Sequence, residues 1–200
     1  MATRAENRRR KLLALSDAAV DLFDTVGPHV TVDAIAERAG ISRRTVFRHV
    51  DSKEELAFIH PLLWFDAFDE AVSAAAGQPL DRRLWLGSQA IAAEIDADPD
   101  RPRRAFTVAV GHPELQRGFQ ALFQRWTDRI TALVDEVQEE RGRSPDPFRS
   151  RIIGSAVMGM VDAVTRAWLV ADDGASYADL CHRGFDVVAP LIGDAQELNR

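Results

Sequence analysis

Apolar positions recur at helical spacing along nearly the whole chain. Leu12, Leu15, Ala19, Leu22, Phe23 and Val26 repeat every three or four residues until Gly27-Pro28 stops the run. Thr31 stands as an N-cap before Val32, Ile35, Ala36 and Ala39, a second, short helix that Gly40 ends. Ser42 is placed to cap a third helix from Arg43 to about Val50. Ser52 and Glu55 then form an S-x-x-E capping box that opens a fourth, running through Leu56, Ile59, Leu63, Trp64 and Phe68 to Ala75. A fifth helix spans about Leu80 to Asp96. Asp98-Pro99-Asp100 and Gly111-His112-Pro113 bracket a short sixth, and a long seventh extends from Pro113 to about Arg141. An eighth covers about Pro147 to Ala171, and Asp172–Ala175 is a turn. A second capping box, Ser176 with Asp179, begins a ninth helix with Leu180, Gly184, Phe185, Val188, Leu191 and Ile192 on one face. No strand alternation persists. The pattern predicts an all-α fold of nine helices.

Composition adds a core and an asymmetry. Of 200 residues, 46% are hydrophobic, enough to bury a real core, and the net charge of −6 argues against a protein that coats nucleic acid throughout. The charge is unevenly placed. Residues 1–60 carry ten Lys/Arg and nine Asp/Glu, whereas residues 61–200 carry fifteen and twenty-two, so a polyanion should meet the N-terminal part. Cys181 is the only cysteine, which excludes an intrachain disulfide and suits a reducing cytosol. No apolar run reads as reaching the ~20 residues needed to span a bilayer. The opening MATRAENRRRKLLAL has too short an apolar part for a signal peptide. A cytoplasmic protein with no membrane partner is expected.

The candidate chemistry begins at SRRTVFRHVDSKEEL, residues 42–56, where Arg43, Arg44 and Arg48 crowd onto one short helix. Helix, tight glycine turn, helix is the helix-turn-helix design, in which the second helix enters the major groove. Ile35, Ala36, Ala39, Ile41, Val46 and Val50 are spaced to close a small core between the two helices. That leaves Arg43, Arg44, Thr45, Phe47 and His49 on other faces. Bidentate Arg–guanine contacts are the commonest specific readout of DNA. Lys53 stands at the start of the next helix, and Arg8, Arg9, Arg10 and Lys11 precede the core of the first. From spacing alone, a solvated basic surface helix fits the same residues.

VTVDAIAERAGISRRTVFRHVDSKEEL, from Val30 to Leu56, resembles the DNA-binding segment of the TetR family of bacterial transcriptional regulators. The resemblance is close from about Lys11 to Leu56; beyond that it covers helical layout, length and acidity. It implies that residues 1–56 form a helix-turn-helix domain and residues 57–200 a helical effector-binding and dimerisation domain. It further implies that Thr31, Ser42, Arg43, Arg44, Thr45, Phe47, His49 and Lys53 lie at or near DNA. Two positions depart from the family pattern. Phe47 stands where tyrosine is common, which removes a hydroxyl–phosphate bond, and Val50 stands where phenylalanine is common, which makes the local core smaller. The SRRT start is similar to an actinobacterial subgroup, some of whose members are associated with acyl-CoA sensing.

The second part is rich in large side chains. Trp64, Phe68, Trp85, Phe106, Phe123, Trp126 and Met158, with His112 and Asp162 as polar members, are the candidate lining of a pocket between helices four to eight; plain core packing accounts for each ring singly. Asp162 also stands four residues before Arg166, the spacing of a helical ion pair. Small residues at Gly154, Ser155, Ala156, Gly159 and Ala163 on helix eight, with Phe185, Val188 and Leu191 on helix nine, suggest a face for a second chain, or ordinary intrachain packing. Family resemblance implies a homodimer there. The expected mechanism is a repressor released from a palindromic operator by a hydrophobic small molecule, such as an acyl-CoA. A DNA-binding dimer without an effector is the alternative. An enzyme is disfavoured: HExxH, CxxC, G-x-S-x-G and Walker patterns are missing, and His29, His49, His60, His112 and His182 show no ligand spacing. No cofactor or metal is expected.

Overall fold

The computed structural model describes residues 4–171 and 174–192, among which nine α-helices and no strand occur. They are α1 (Arg4–Thr25), α2 (Val32–Arg38), α3 (Arg43–Val46), α4 (Ile59–Ala74), α5 (Leu80–Ala97), α6 (Asp100–Gly111), α7 (Gln116–Glu140), α8 (Pro147–Val170) and α9 (Tyr177–Ile192). Short 3-10 turns at Glu54–Phe58 and Pro113–Leu115 precede α4 and α7. Two residues of the turn predicted at Asp172–Ala175, Asp172 and Asp173, lie outside the described residues.

Two compact units divide the chain. The first comprises residues 1–64 with 98–122, the second 65–97 with 123–200, so the division falls inside α4 and inside α7. α6 is thereby grouped with the N-terminal helices. Arg101 pairs with Asp17 of α1 at 3.1 Å, and Arg104 pairs with Asp21 and Asp24. Leu15, Phe23, Ile35, Val46, Leu56, Phe58 and Leu115 are buried in this unit. In the second unit α9 packs on α5 and α8, over a core that includes Leu84, Ile95, Leu133, Val157, Met160, Val164, Trp168 and Phe185. Arg83 is buried there too. Its guanidinium donates to both carboxylate oxygens of Glu140, at 3.0 and 2.8 Å, and to the Val72 carbonyl at 3.2 Å. A buried cation persists only with such partners.

Two boundaries differ from the periodicity. The third helix ends at Val46 rather than Val50, and the chain continues as turns in which His49 N–H donates to the Val46 carbonyl at 2.9 Å. The Ser52 box does form, with Glu55 N–H donating to Ser52 Oγ at 3.4 Å and Asp51 N–H to Glu55 Oε2 at 3.3 Å. It opens the 3-10 turn, and α4 starts only at Ile59. In addition, α8 reaches the length and apolarity of a membrane span, with a window of mean hydropathy 1.3, where the sequence predicts no such run. One side of α8 is buried on α9, and the other carries exposed Phe148, Ile152 and Val170 beside exposed Arg151 and Arg166.

Candidate nucleic-acid interface and effector domain

Local chemistry builds the helix-turn-helix. Thr31 has extended backbone, and its Oγ1 accepts from Ala34 N–H at 3.2 Å, which caps α2. Gly40 has φ 67°, a left-handed turn that only glycine adopts without strain, and Ile41 N–H then reaches back to the Ala36 carbonyl at 3.0 Å. Ser42 caps α3 by accepting from Thr45 N–H at 3.2 Å, and its Oγ stands 2.9 Å from Thr45 Oγ1. Ile35, Ala36, Val46 and Val50 are buried, as their spacing requires, and this burial turns the arginines outward.

Arg43, Arg44, Phe47 and Arg48 are exposed, with Thr45 and His49 half-buried. Arg43 Nη1 donates to Asp33 Oδ2 of α2 at 2.8 Å, and its Cζ lies 5.5 Å from the centre of the Phe47 ring. Among the described residues Arg44 and Arg48 make no hydrogen bond or ion pair. Beside them a cleft of about 910 Å³ is lined by Arg8 and Lys11 of α1 and by Ser42, Thr45, Arg48 and His49. Its charged members are all cationic, the lining a phosphate backbone needs. Burial, then Arg48 and Arg8, holds the His49 pKa below its usual value. Lys53 precedes the 3-10 turn at Glu54–Phe58. It is half-buried, its ammonium donates to the Pro28 carbonyl, and no α-helix starts beside it. Thr31 and Ser42 likewise spend their hydroxyls on capping.

The expected pocket residues divide between the two units. In the first, Trp64 packs on Phe106 with ring centres 6.4 Å apart, and His112 is half-buried at the end of α6. In the second, the Trp126 ring stacks on Phe65 at 3.7 Å and meets the edge of Phe68 at 5.5 Å. Trp85 meets His182 and Phe185 edge-on, at 5.0 and 5.6 Å. Met158 is buried and Phe123 half-buried. Asp162 Oδ2 accepts from Arg166 Nε at 2.8 Å, the i,i+4 pair its spacing allows, on the partly exposed side of α8. Phe65 joins this cluster through its stack on Trp126, and Gln89 Nε2 is a buried donor in the second unit without a hydrogen-bond partner among the described residues.

The small-residue face is also divided. Gly154 is buried inside the chain, where a Cβ would meet Thr131 Oγ1 at 2.5 Å; Phe185 and Val188 are buried as well. Ser155, Gly159, Ala163 and Leu191 remain exposed, together with Phe148, Ile152, Val170 and Val187.

Comparison with known proteins agrees with this architecture. Residues 15–58 match the family of bacterial regulatory proteins named after TetR, and residues 89–192, more than half the chain, match the MftR C-terminal domain. The chain is 28% identical over 183 residues to the regulator MftR of Mycobacterium tuberculosis, covering 87% of each chain. In structure it resembles FadR of Thermus thermophilus, a repressor solved with lauroyl-CoA, at a TM-score of 0.59 and 20% identity, covering 89% of this chain and 93% of that one. FadR of Bacillus subtilis, solved with stearoyl-CoA, gives a TM-score of 0.56 at 15% identity, covering 88% and 96%. The helix-turn-helix built around Gly40, the helical layout and the two matched segments together place this chain in the TetR family of DNA-binding transcriptional regulators.

Proposed function

We propose that the protein is a cytoplasmic homodimeric repressor that leaves a palindromic operator when a hydrophobic effector enters its C-terminal domain. The observation that carries this reading is the exposed basic face: Arg43, Arg44 and Arg48 turned outward by the buried α2–α3 core, beside a cleft whose charges are all positive. Within that face Arg44 reads a base edge, Arg8, Lys11 and Arg48 meet phosphates, and Phe47 offers an apolar edge, suited to a thymine methyl. Thr31, Ser42 and Thr45 hold the two helices in place. His49 lines the cleft, and Lys53 braces the loop at Pro28.

The exposed apolar stripe of α8 and α9 supports a two-fold dimer, in which Phe148, Ile152, Val170, Val187 and Leu191 meet their counterparts. Two recognition elements then sit about one helical turn of DNA apart, ~34 Å, as a palindrome needs. Long-chain acyl-CoA is the first effector class to test, because the similar FadR structures hold lauroyl-CoA and stearoyl-CoA. Within the second unit, Trp126 with Phe65 and Phe68 is the proposed apolar lining. An effector shifts the equilibrium only through its different affinity for the two states.

The test is selection of random duplex DNA on the purified protein at a stated salt concentration, followed by titration of the selected duplex complex with acyl-CoA of increasing chain length. The reading expects a palindromic motif and chain-length-dependent release. A palindrome that no acyl-CoA releases would leave a DNA-binding dimer and remove the acyl-CoA effector.

A further inference from the structure

We infer that Asp33 is a positioning residue for Arg43 and a determinant of sequence selectivity: by holding one recognition arginine, it weakens binding to arbitrary DNA more than binding to the operator. The inference rests on the DNA-facing reading of α3 and goes beyond it by giving an acidic side chain a part in recognition.

The three arginines of this face differ in what holds them. Arg43 alone is fixed from two sides, by the Asp33 carboxylate at 2.8 Å and by the Phe47 ring at 5.5 Å. Asp33 comes from α2, ten residues earlier, so the pair crosses the turn. Both side chains are more than half exposed, at 59% and 63%, and an ion pair so open to water adds little to folding. Thr31 already caps α2, and Asp33 in its first turn adds only the modest, screened helix-dipole stabilisation of an exposed carboxylate. An acid on the most basic face of the chain also repels the polyanion which that face is built to meet. These facts leave its effect on Arg43 as the physical consequence that matters.

That effect has two parts of the same sign. A guanidinium already paired must give up its carboxylate before any phosphate can take the same N–H, so arbitrary contacts along a backbone are weakened. Phosphates impose no orientation, and a free arginine would follow them. Held between Asp33 and Phe47, the guanidinium keeps its plane, and its remaining N–H groups match a pair of acceptors in one orientation, such as guanine O6 and N7. Phe47 contributes here through its ring face, which a tyrosine would also supply.

The test uses the full chain, the duplex recovered by selection and a scrambled duplex of equal length, with affinities measured across a salt series. Asp33→Asn should strengthen binding to the scrambled duplex roughly threefold or more and steepen its salt dependence by about one released ion. The operator should gain less, so the ratio of the two affinities falls. In an Arg43→Ala background the same Asp33→Asn change should leave that ratio unmoved. A ratio unchanged by Asp33→Asn overturns the inference. So does an equal fall in the Arg43→Ala background, because the acid would then act through its own charge. Failure of the unaltered protein to prefer any duplex would overturn the DNA-facing reading itself, and this inference with it.

Discussion

Arg44 and His60 are both single side chains whose behaviour follows from what surrounds them. Arg44 is exposed and makes no hydrogen bond or ion pair among the described residues, so it is free to read a base. Arg44→Ala should cost about 1–3 kcal/mol at one operator position and relax selectivity there, as measured by binding to single-base operator variants. An equal loss on every duplex would make it a phosphate contact. His60 is buried, with Nε2 lacking a hydrogen-bond partner among the described residues, and burial lowers its pKa to about 4 from 6.5. The folded chain therefore resists a proton that the unfolded chain accepts. Stability should hold above about pH 6.5 and fall as pH drops toward about 4, by on the order of 2–3 kcal/mol. Urea denaturation across that range checks the slope, and His60→Gln should flatten it whatever it does to the absolute stability.

At the scale of elements, the sequence was most informative where local hydrogen bonds decide. Thr31, Gly40 and Ser42 build the α2–turn–α3 segment from their own backbone needs, and each has the role its residue type suggests. The start of α9 is different. Ser176 does cap Asp179 N–H at 3.2 Å, but the stronger cap comes from Asp96, eighty residues away. Its carboxylate accepts from Ser176 Oγ at 2.8 Å, Tyr177 N–H at 2.7 Å and Ala178 N–H at 3.1 Å. No periodicity on α5 marks Asp96 as a cap for another helix. Asp96→Ala should destabilise the protein by about 1–2 kcal/mol and speed amide exchange in the first turn of α9, while the first turn of α2 is unaffected. The shortened α3 and delayed α4 have the same origin. Between the two ends Val46, Val50 and Glu55 are buried, a tertiary condition that helix propensity does not contain.

At the scale of the molecule, the surface of α8 and α9 is the feature an isolated chain leaves unexplained. Phe148, Ile152, Val170, Val187 and Leu191 are each more than half exposed on two neighbouring helices, which suits the dimer face proposed above. Ile152→Asp with Leu191→Asp should convert the protein to a monomer in sedimentation and weaken operator binding sharply, because a single half-site lacks the second recognition element. Circular dichroism should stay helical, since neither side chain belongs to the intrachain core. A dimer that survives both changes would place the interface elsewhere.

The sequence by itself determined the helical class, the helix-turn-helix and the outward arginines. Those depend on periodicity, caps and one left-handed glycine, all encoded within a few residues of where they act. Only the tertiary structure decided which small and apolar positions of α8 and α9 face inward. Gly154, Phe185 and Val188 share their spacing with Ser155, Gly159 and Leu191, and only helix packing separates them. The same holds for the pairing of Arg43 with Asp33, the burial of Arg83 on Glu140, and the grouping of α6 with α1. Each is a contact between residues distant along the chain, and a one-dimensional pattern carries no record of which distant partner a side chain will meet.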